Sequence, residues 1–253
     1  MRAPLLRGFS SDDLIVDLFA GAGGASDGIR NAVGRPPDFA INHDPVALAV
    51  HQANHPGTRH VLSDVFEIDP STVCGSRRLG LLWASPDCTH FSRAKGTKPR
   101  DSKRRALASV VIVWIREARP SVVVVENVEE FEDWGPLGPD GKPDKAQAGK
   151  NFRAWCAKIV DLGYGLEFRT VVAADHGAPT LRKRLVMIAR RMGAIIWPEA
   201  THGPGCAEPW RVAAECINWR HPAKATRACT ASTSRFAPSP PRTAASSRWW
   251  RRR

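Results

Sequence analysis

From Leu14 to about Arg191, short apolar runs alternate with amphipathic stretches, and no other feature narrows the folding possibilities as far. A short, wholly apolar run is what a strand needs when both faces of its sheet are covered. The amphipathic stretch after it must lay its apolar stripe on that sheet. Repeated several times, the pattern predicts βαβ units and a largely parallel sheet, an α/β fold. The expected strands are Leu14–Ala20, Asp38–Asn42, Leu79–Ala84, Ser121–Val125, Glu167–Ala173 and Arg184–Ala189. The expected helices are Gly24–Val33, Pro45–Asn54, Ser102–Ala118 and Phe152–Leu162. Arg119-Pro120 ends the third of these, because a residue before proline is pushed out of the helical region. Two loops stand out: Ser85–Arg100, basic and directly after a strand, and Asp133–Gly149, rich in Gly, Pro and Asp and expected to be exposed.

The chain is 43% hydrophobic and 25% charged, enough apolar residues for a sizeable core and too many for a disordered protein. No apolar run reaches membrane-spanning length. The first residues, Met1-Arg-Ala-Pro-Leu-Leu-Arg, are too poor in apolar side chains for a secretory signal, so a cytoplasmic protein is expected, and a monomer. The six cysteines form no CxxC pair, which predicts free thiols and no metal site. The net charge of +12 is misleading as a mark of DNA binding. Nine of the 37 Lys and Arg residues lie in 220–253, which has no Asp or Glu, so the body before it is close to neutral. That tail, dense in Arg, Ser, Pro, Ala and Thr and without apolar periodicity, cannot bury enough surface to offset the entropy of ordering it.

Three segments carry chemistry. Asp17-Leu-Phe-Ala-Gly-Ala-Gly-Gly ends the first strand with glycines that let the backbone turn tightly and approach a ligand at a helix N-terminus. The next strand ends Ile41-Asn42-His43-Asp44, where a nucleoside ribose would be read. Ser26 stands at the third glycine's place of a GxGxxG pattern, so the turn alone fits either a nucleotide-type ligand or a structural bend. Ser85-Pro-Asp-Cys-Thr-His-Phe-Ser follows the strand Leu79–Ala84, where reactive groups of open α/β sheets collect. Lys95, Lys98 and Arg100 favour Cys88 as a thiolate, and a small buried residue is the competing reading. Val122-Val-Val-Val-Glu126-Asn127-Val delivers a carboxyl group from a fully apolar strand. Desolvation there disfavours the ionised form and suits Glu126 to proton donation, with a strand-end cap as the alternative.

In order and spacing these segments resemble the DNA cytosine-5 methyltransferases, over roughly residues 12–191. Asp17–Gly24 is similar to the motif that holds S-adenosylmethionine, Cys88 with Phe91-Ser92 to the nucleophile loop, and Glu126-Asn127-Val128 to the Glu-Asn-Val motif. His176-Gly-Ala-Pro-Thr-Leu-Arg182-Lys-Arg184-Leu is similar to the motif whose two arginines support the catalytic site. The resemblance implies a Rossmann-like methyltransferase fold, S-adenosylmethionine as cofactor and DNA with a flipped-out cytosine as substrate. It implies that Cys88 adds to ring carbon 6 while Glu126 donates to ring nitrogen 3, with Asn127, Arg182 and Arg184 in support. It puts Phe19, Gly21 and Gly23 around the methionine part, Asn42 and His43 at the ribose and adenine, Asp64 and Val65 at the adenine, and Leu107 at a further contact.

The sequence departs from the family pattern in places. Asp87 separates Pro86 from Cys88, Asn42 stands where an acidic residue is usual, and Thr180 replaces a Gln. Residues 1–191 read as the catalytic domain and 192–219 as the start of a target-recognition region. The loss of pattern in the basic tail 220–253 suggests a truncated or frameshifted member. Two other classes stay open on the residues alone. A different nucleotide-binding α/β enzyme would give Cys88 no role, and a non-enzymatic remnant would bind nucleic acid through its basic tail.

Overall fold

The computed structural model describes residues 10–86, 107–139, 141–217 and 219. Seven strands form one sheet: β1 (Leu14–Leu18), β2 (Phe39–Asn42), β3 (Arg59–Leu62), β4 (Leu79–Ala84), β5 (Val122–Asn127), β6 (Gly165–Val172) and β7 (Lys183–Arg190), in the order β3-β2-β1-β4-β5-β7-β6. The first five run parallel, and β7 pairs antiparallel with both β5 and β6. The α/β expectation with a mostly parallel sheet holds. The helices are α1 (Gly24–Val33), α2 (Pro45–Asn54), α3 (Pro70–Cys74), α4 (Leu107–Ala118) and α5 (Lys150–Asp161).

Central strands are the most apolar because both faces are covered. Every residue of β1 is buried, as are five of six in β4 and in β5. On one face, Val110, Val111, Trp114 and Ile115 of α4 pack with Phe152, Trp155 and Ile159 of α5 against Val16, Leu82, Val123 and Val125. The opposite face carries Ile29 of α1 over Ile15, Leu81, Val122, Val124 and Ile188. Each such aliphatic side chain removed from water contributes about 1.5–3 kcal/mol before entropy is charged. Phe131 sits at the centre of an aromatic cluster, with Trp134, Phe152 and Trp155 ring centroids 5.5–5.7 Å away.

Local signals fix the element ends. Asp44 caps α2, its carboxylate accepting from the Val46 and Ala47 amides with Pro45 at the first helical position. β1 stops two residues before the expected end because Phe19 turns into the left-handed region at φ 61°. Two elements were not anticipated. β3 is a short edge strand with no buried residue, and α3 is a single turn capped by Asp69. Ala173 begins a short 3-10 turn, so β6 ends before it. The first five residues of the expected helix Ser102–Ala118 lie outside the described residues. Of the excursion 133–149, Leu137 bridges to Pro143, and Lys145–Gln147 forms a 3-10 turn.

Residues up to Glu215 form one compact unit and those from Cys216 a second, of which Cys216, Ile217 and Trp219 are described. Within the first unit the chain beyond β7 keeps its partners. Trp197 donates its indole N–H to Glu167 and lies under the Arg169 guanidinium, and Trp210 donates to Asp175.

Candidate active site

Strand order reverses between β1 and β4: the chain steps outward from β1 to β2 and β3, then returns to β4 on the other side of β1. The parallel strands all end at one edge, and a crevice opens at such a reversal. The Gly-rich turn leaves β1 here. Ala20 donates its amide to the Ile41 carbonyl and Ser85 donates to Leu18, so turn, β2 and β4 are tied at this edge. Gly23, at φ +108°, caps α1, and a Cβ there would lie 2.7 Å from His55 Nε2, so only glycine fits. A Cβ on Gly21 would meet nothing, which leaves its backbone open to a ligand.

Asp17 does not reach out of the crevice. It is buried beneath the turn, where its Oδ2 is 2.8 Å from the Ser26 hydroxyl and its Oδ1 has no hydrogen-bond partner. Burial pushes its carboxyl up to about 7 against the hydrogen bond from Ser26. Asn42 donates to the Ala20 carbonyl and accepts from the Asp44 amide, which binds the end of β2 to the turn. His43 beside it is exposed. Asp64 accepts from the Phe66 amide, Val65 is buried in the core, and Leu107 packs against that core at the start of α4. The open Gly21 backbone and the orphaned Asp17 oxygen under the turn fit a cationic, nucleoside-bearing cofactor such as S-adenosylmethionine.

At the end of β5, Glu126 and Asn127 take different tasks. Glu126 Oε1 lies 2.7 Å from Arg184 Nε, both side chains partly shielded. Burial raises the Glu126 pKa, and the Arg184 charge and hydrogen bond oppose that rise without cancelling it. The pairing is a matter of register, for β7 runs antiparallel to β5 with Glu126 opposite Val186. Asn127 is buried and donates to the Pro86 carbonyl at 3.2 Å, so it holds the root of the loop that leads to Cys88. Cys88 itself lies outside the described residues. Arg182 is exposed, with no polar partner for its guanidinium among the described residues, and its amide donates to Thr180 Oγ1.

One group at the site was missed from sequence. Ser26 Oγ is 2.9 Å from His51 Nε2, His51 Nδ1 is 2.9 Å from His60 Nε2, and His55 Nε2 donates to the Gly23 carbonyl at 3.1 Å. The signal was present: His51 and His55 are one helical turn apart, and His60 enters the neighbouring strand. Burial, with the charges of His55 and His60, lowers the His51 pKa to about 4. Among the described residues, no three His, Cys, Asp or Glu side chains are arranged to hold a metal ion.

A doubly wound parallel sheet closed by an antiparallel β7, with its turn and acidic strand end on one edge, is a Rossmann-like methyltransferase frame. The Dnmt2 methyltransferase of S. pombe shares it, with a TM-score of 0.54 at 19% identity over 72% of this chain and 52% of that one. A family model described as C-5 cytosine-specific DNA methylase matches residues 14–203, and the chain belongs to that family. Among curated relatives, the type II methyltransferase M.AquIA of Picosynechococcus sp. is 28% identical, covering 75% of this chain and 77% of its own length. M.SacI of Streptomyces achromogenes is 30% identical over 74% of this chain and 50% of its own. The chain spans about half or less of the length of M.SacI and of six further curated relatives it matches.

Proposed function

We propose that this chain transfers a methyl group from S-adenosylmethionine to carbon 5 of a cytosine in DNA, through a transient bond between Cys88 and the base. One observation carries the reading: a desolvated Glu126 held by Arg184, next to an Asn127 that tethers the root of the Cys88 loop. Cytosine is too electron-poor to attack a methyl donor unaided. Addition of the Cys88 thiolate to carbon 6, with proton donation from Glu126 to nitrogen 3, makes carbon 5 nucleophilic. Bound S-adenosylmethionine supplies the electrophilic methyl group. Nitrogen 3 then returns its proton to Glu126, and loss of the carbon-5 proton to a water molecule expels the thiolate and restores the aromatic ring.

Burial raises the Glu126 pKa and so favours its acid form, and the Arg184 guanidinium fixes its orientation toward the base. Exposed Arg182 serves the base or its flanking phosphate. Phe19, Gly21 and Gly23, in the turn above Asp17, would hold the methionine part, Asn42 and His43 would take the ribose and the adenine edge, and Asp64, Val65 and Leu107 would complete the adenine side. The reacting carbons are stacked within a duplex, so the cytosine is flipped out. Residues 1–191 serve as the catalytic domain and 192–219 lead toward target recognition, with 220–253 a basic tail. The chain acts as a cytoplasmic monomer. No helix among the described residues is long and apolar enough to cross a membrane.

The test is covalent trapping. DNA carrying 5-fluorocytosine, mixed with the protein and S-adenosylmethionine, should yield a denaturation-resistant adduct, because fluorine blocks the final elimination. Cys88→Ser should abolish it. An adduct that survives Cys88→Ser, or none with the unaltered chain, refutes the reading.

A further inference from the structure

Three carbonyls of the Gly-rich turn are each held by a side chain from the neighbouring β2–α2 unit. Asn42 Nδ2 donates to the Ala20 carbonyl at 2.7 Å, Asn54 Nδ2 to the Ala22 carbonyl at 3.0 Å, and His55 Nε2 to the Gly23 carbonyl at 3.1 Å. Asn42 ends β2, Asn54 is the last residue of α2, and His55 is its C-terminal cap. The described peptide bonds are all trans. In a planar trans peptide the carbonyl and the following N–H point in opposite directions. Holding these carbonyls toward β2 and α2 therefore turns the amides of Gly21, Gly23 and Gly24 the other way.

None of these three amides has a hydrogen-bond partner among the described residues. A backbone N–H left out of the helix and sheet ladders is satisfied by water or by a ligand. Gathered at the start of α1, three such donors add to the positive end of the helix and favour an anion. Asp27, the acid in the first turn of α1, is offset by Arg30 at 2.8 Å. A separate observation points to a ligand at the same place: Asp17, buried under the turn, keeps its Oδ1 without a partner.

We propose that Asn54 and His55, together with Asn42, are positioning residues that aim the Gly21, Gly23 and Gly24 amides at the carboxylate of the amino-acid end of S-adenosylmethionine. The identity of the ligand rests on the methyltransferase reading; the aim of the amides does not. Asn54 and His55 act through the backbone of the turn, from its α2 side. His55 is used as a donor alone, for its Nδ1 is buried without a partner. Because His55 is packed against Gly23, replacing it also disturbs the turn itself. Asn54 is exposed and can be changed without opening the core. Asn54→Ala releases the Ala22 carbonyl and with it the direction of the Gly23 amide. Asn54→Asp sets a carboxylate against that carbonyl, and the repulsion turns the peptide away.

The experiment compares two thioethers that share their adenosine: S-adenosylhomocysteine, which carries the amino-acid carboxylate, and 5′-methylthioadenosine, which lacks it. Calorimetric titration of the full chain should show Asn54→Ala weakening S-adenosylhomocysteine about three- to tenfold, the worth of one hydrogen bond, and Asn54→Asp weakening it further. Affinity for 5′-methylthioadenosine should be the same in all three proteins. Equal weakening of both nucleosides would mean that Asn54 serves the fold alone, and that result, or no change in either, overturns the proposal. If neither nucleoside binds the unaltered chain, the methyltransferase reading fails and acetate decides instead. Titrated into the isotope-labelled, ligand-free chain, acetate should move the amide signals of Gly21, Gly23 and Gly24 together and lose its effect on Gly23 in Asn54→Ala. Signals that ignore acetate, or that respond alike in chain and variant, then overturn the proposal.

Discussion

Asp17 and His51 lie in one buried chain and bias stability with pH in opposite directions, so removing each in turn should produce mirror-image pH profiles. Asp17 moves from an ordinary 3.8 to about 7 on folding, and His51 from 6.5 to about 4. Between roughly pH 4 and 6.5 the folded chain keeps a proton on Asp17 and none on His51, while the unfolded chain does the reverse. Neither state binds more protons, and the two contributions cancel. In Asp17→Asn only the unfolded state holds the proton, on His51, so stability should rise with pH by about 1.4 kcal/mol per unit relative to the unaltered chain. In His51→Gln only the folded state holds it, on Asp17. Stability should then fall by about 1.4 kcal/mol per unit, fully present below pH 4 and lost as pH climbs toward 7. From pH 5 to 6 the two variants should diverge by about 3 kcal/mol. Urea denaturation followed by tryptophan fluorescence at pH 5.0, 5.5 and 6.0 reads these slopes directly. Parallel profiles for the three proteins would show that Asp17 and His51 do not exchange a proton on folding, and the reasoning fails.

Other predictions address single contacts. Gly23→Ala forces a side chain into a left-handed residue and against His55, and should cost at least about 1–2 kcal/mol in denaturant unfolding while weakening cofactor affinity. Trp155→Ala removes a buried indole from the aromatic cluster and its hydrogen bond to the Ala108 carbonyl; a loss of about 3–5 kcal/mol is expected in the same assay. Arg184→Met takes away the charge that holds the Glu126 pKa down, so the limb of the kcat/KM–pH profile that reports this acid should move to higher pH, together with a lower rate. Asn127→Ala frees the Pro86 carbonyl and should lower the yield of trapped adduct at Cys88 with little change in cofactor affinity.

Most of the sheet could be read from sequence because its central strands are runs such as Val122–Val125, where burial on both faces leaves little freedom of composition. β3 escaped because Arg59-His-Val-Leu is an edge strand, held by backbone pairing to β2 more than by burial. At the site, Glu126 was legible from its apolar strand, and the positions of Gly23 and Asn127 followed from the motifs around them. The histidine chain was not. Its members come from four elements, and nothing local in Ser26 or His60 reveals that β1, α1, α2 and β3 bring them together with Asp17. Asn42 shows the converse: its place at the end of β2 was plain, but its double commitment to Ala20 and Asp44 appears only with the turn folded over it.

The antiparallel insertion of β7 between β5 and β6 has a consequence in time. Glu126 belongs to a strand whose parallel neighbour, β4, is synthesised before it, but its partner Arg184 arrives only with β7, after α5 and β6. A nascent chain that has folded as far as β5 therefore presents the carboxyl group without the guanidinium that orients it. Domains assemble from the N-terminus during synthesis, and pairings distant in sequence form late. The cofactor-side turn is thus complete early, while the acid that would act on the base is set in place by one of the last strands to dock. A nascent chain halted before β7 would carry the cofactor turn without an oriented acid, which separates acquisition of the cofactor site from acquisition of reactivity.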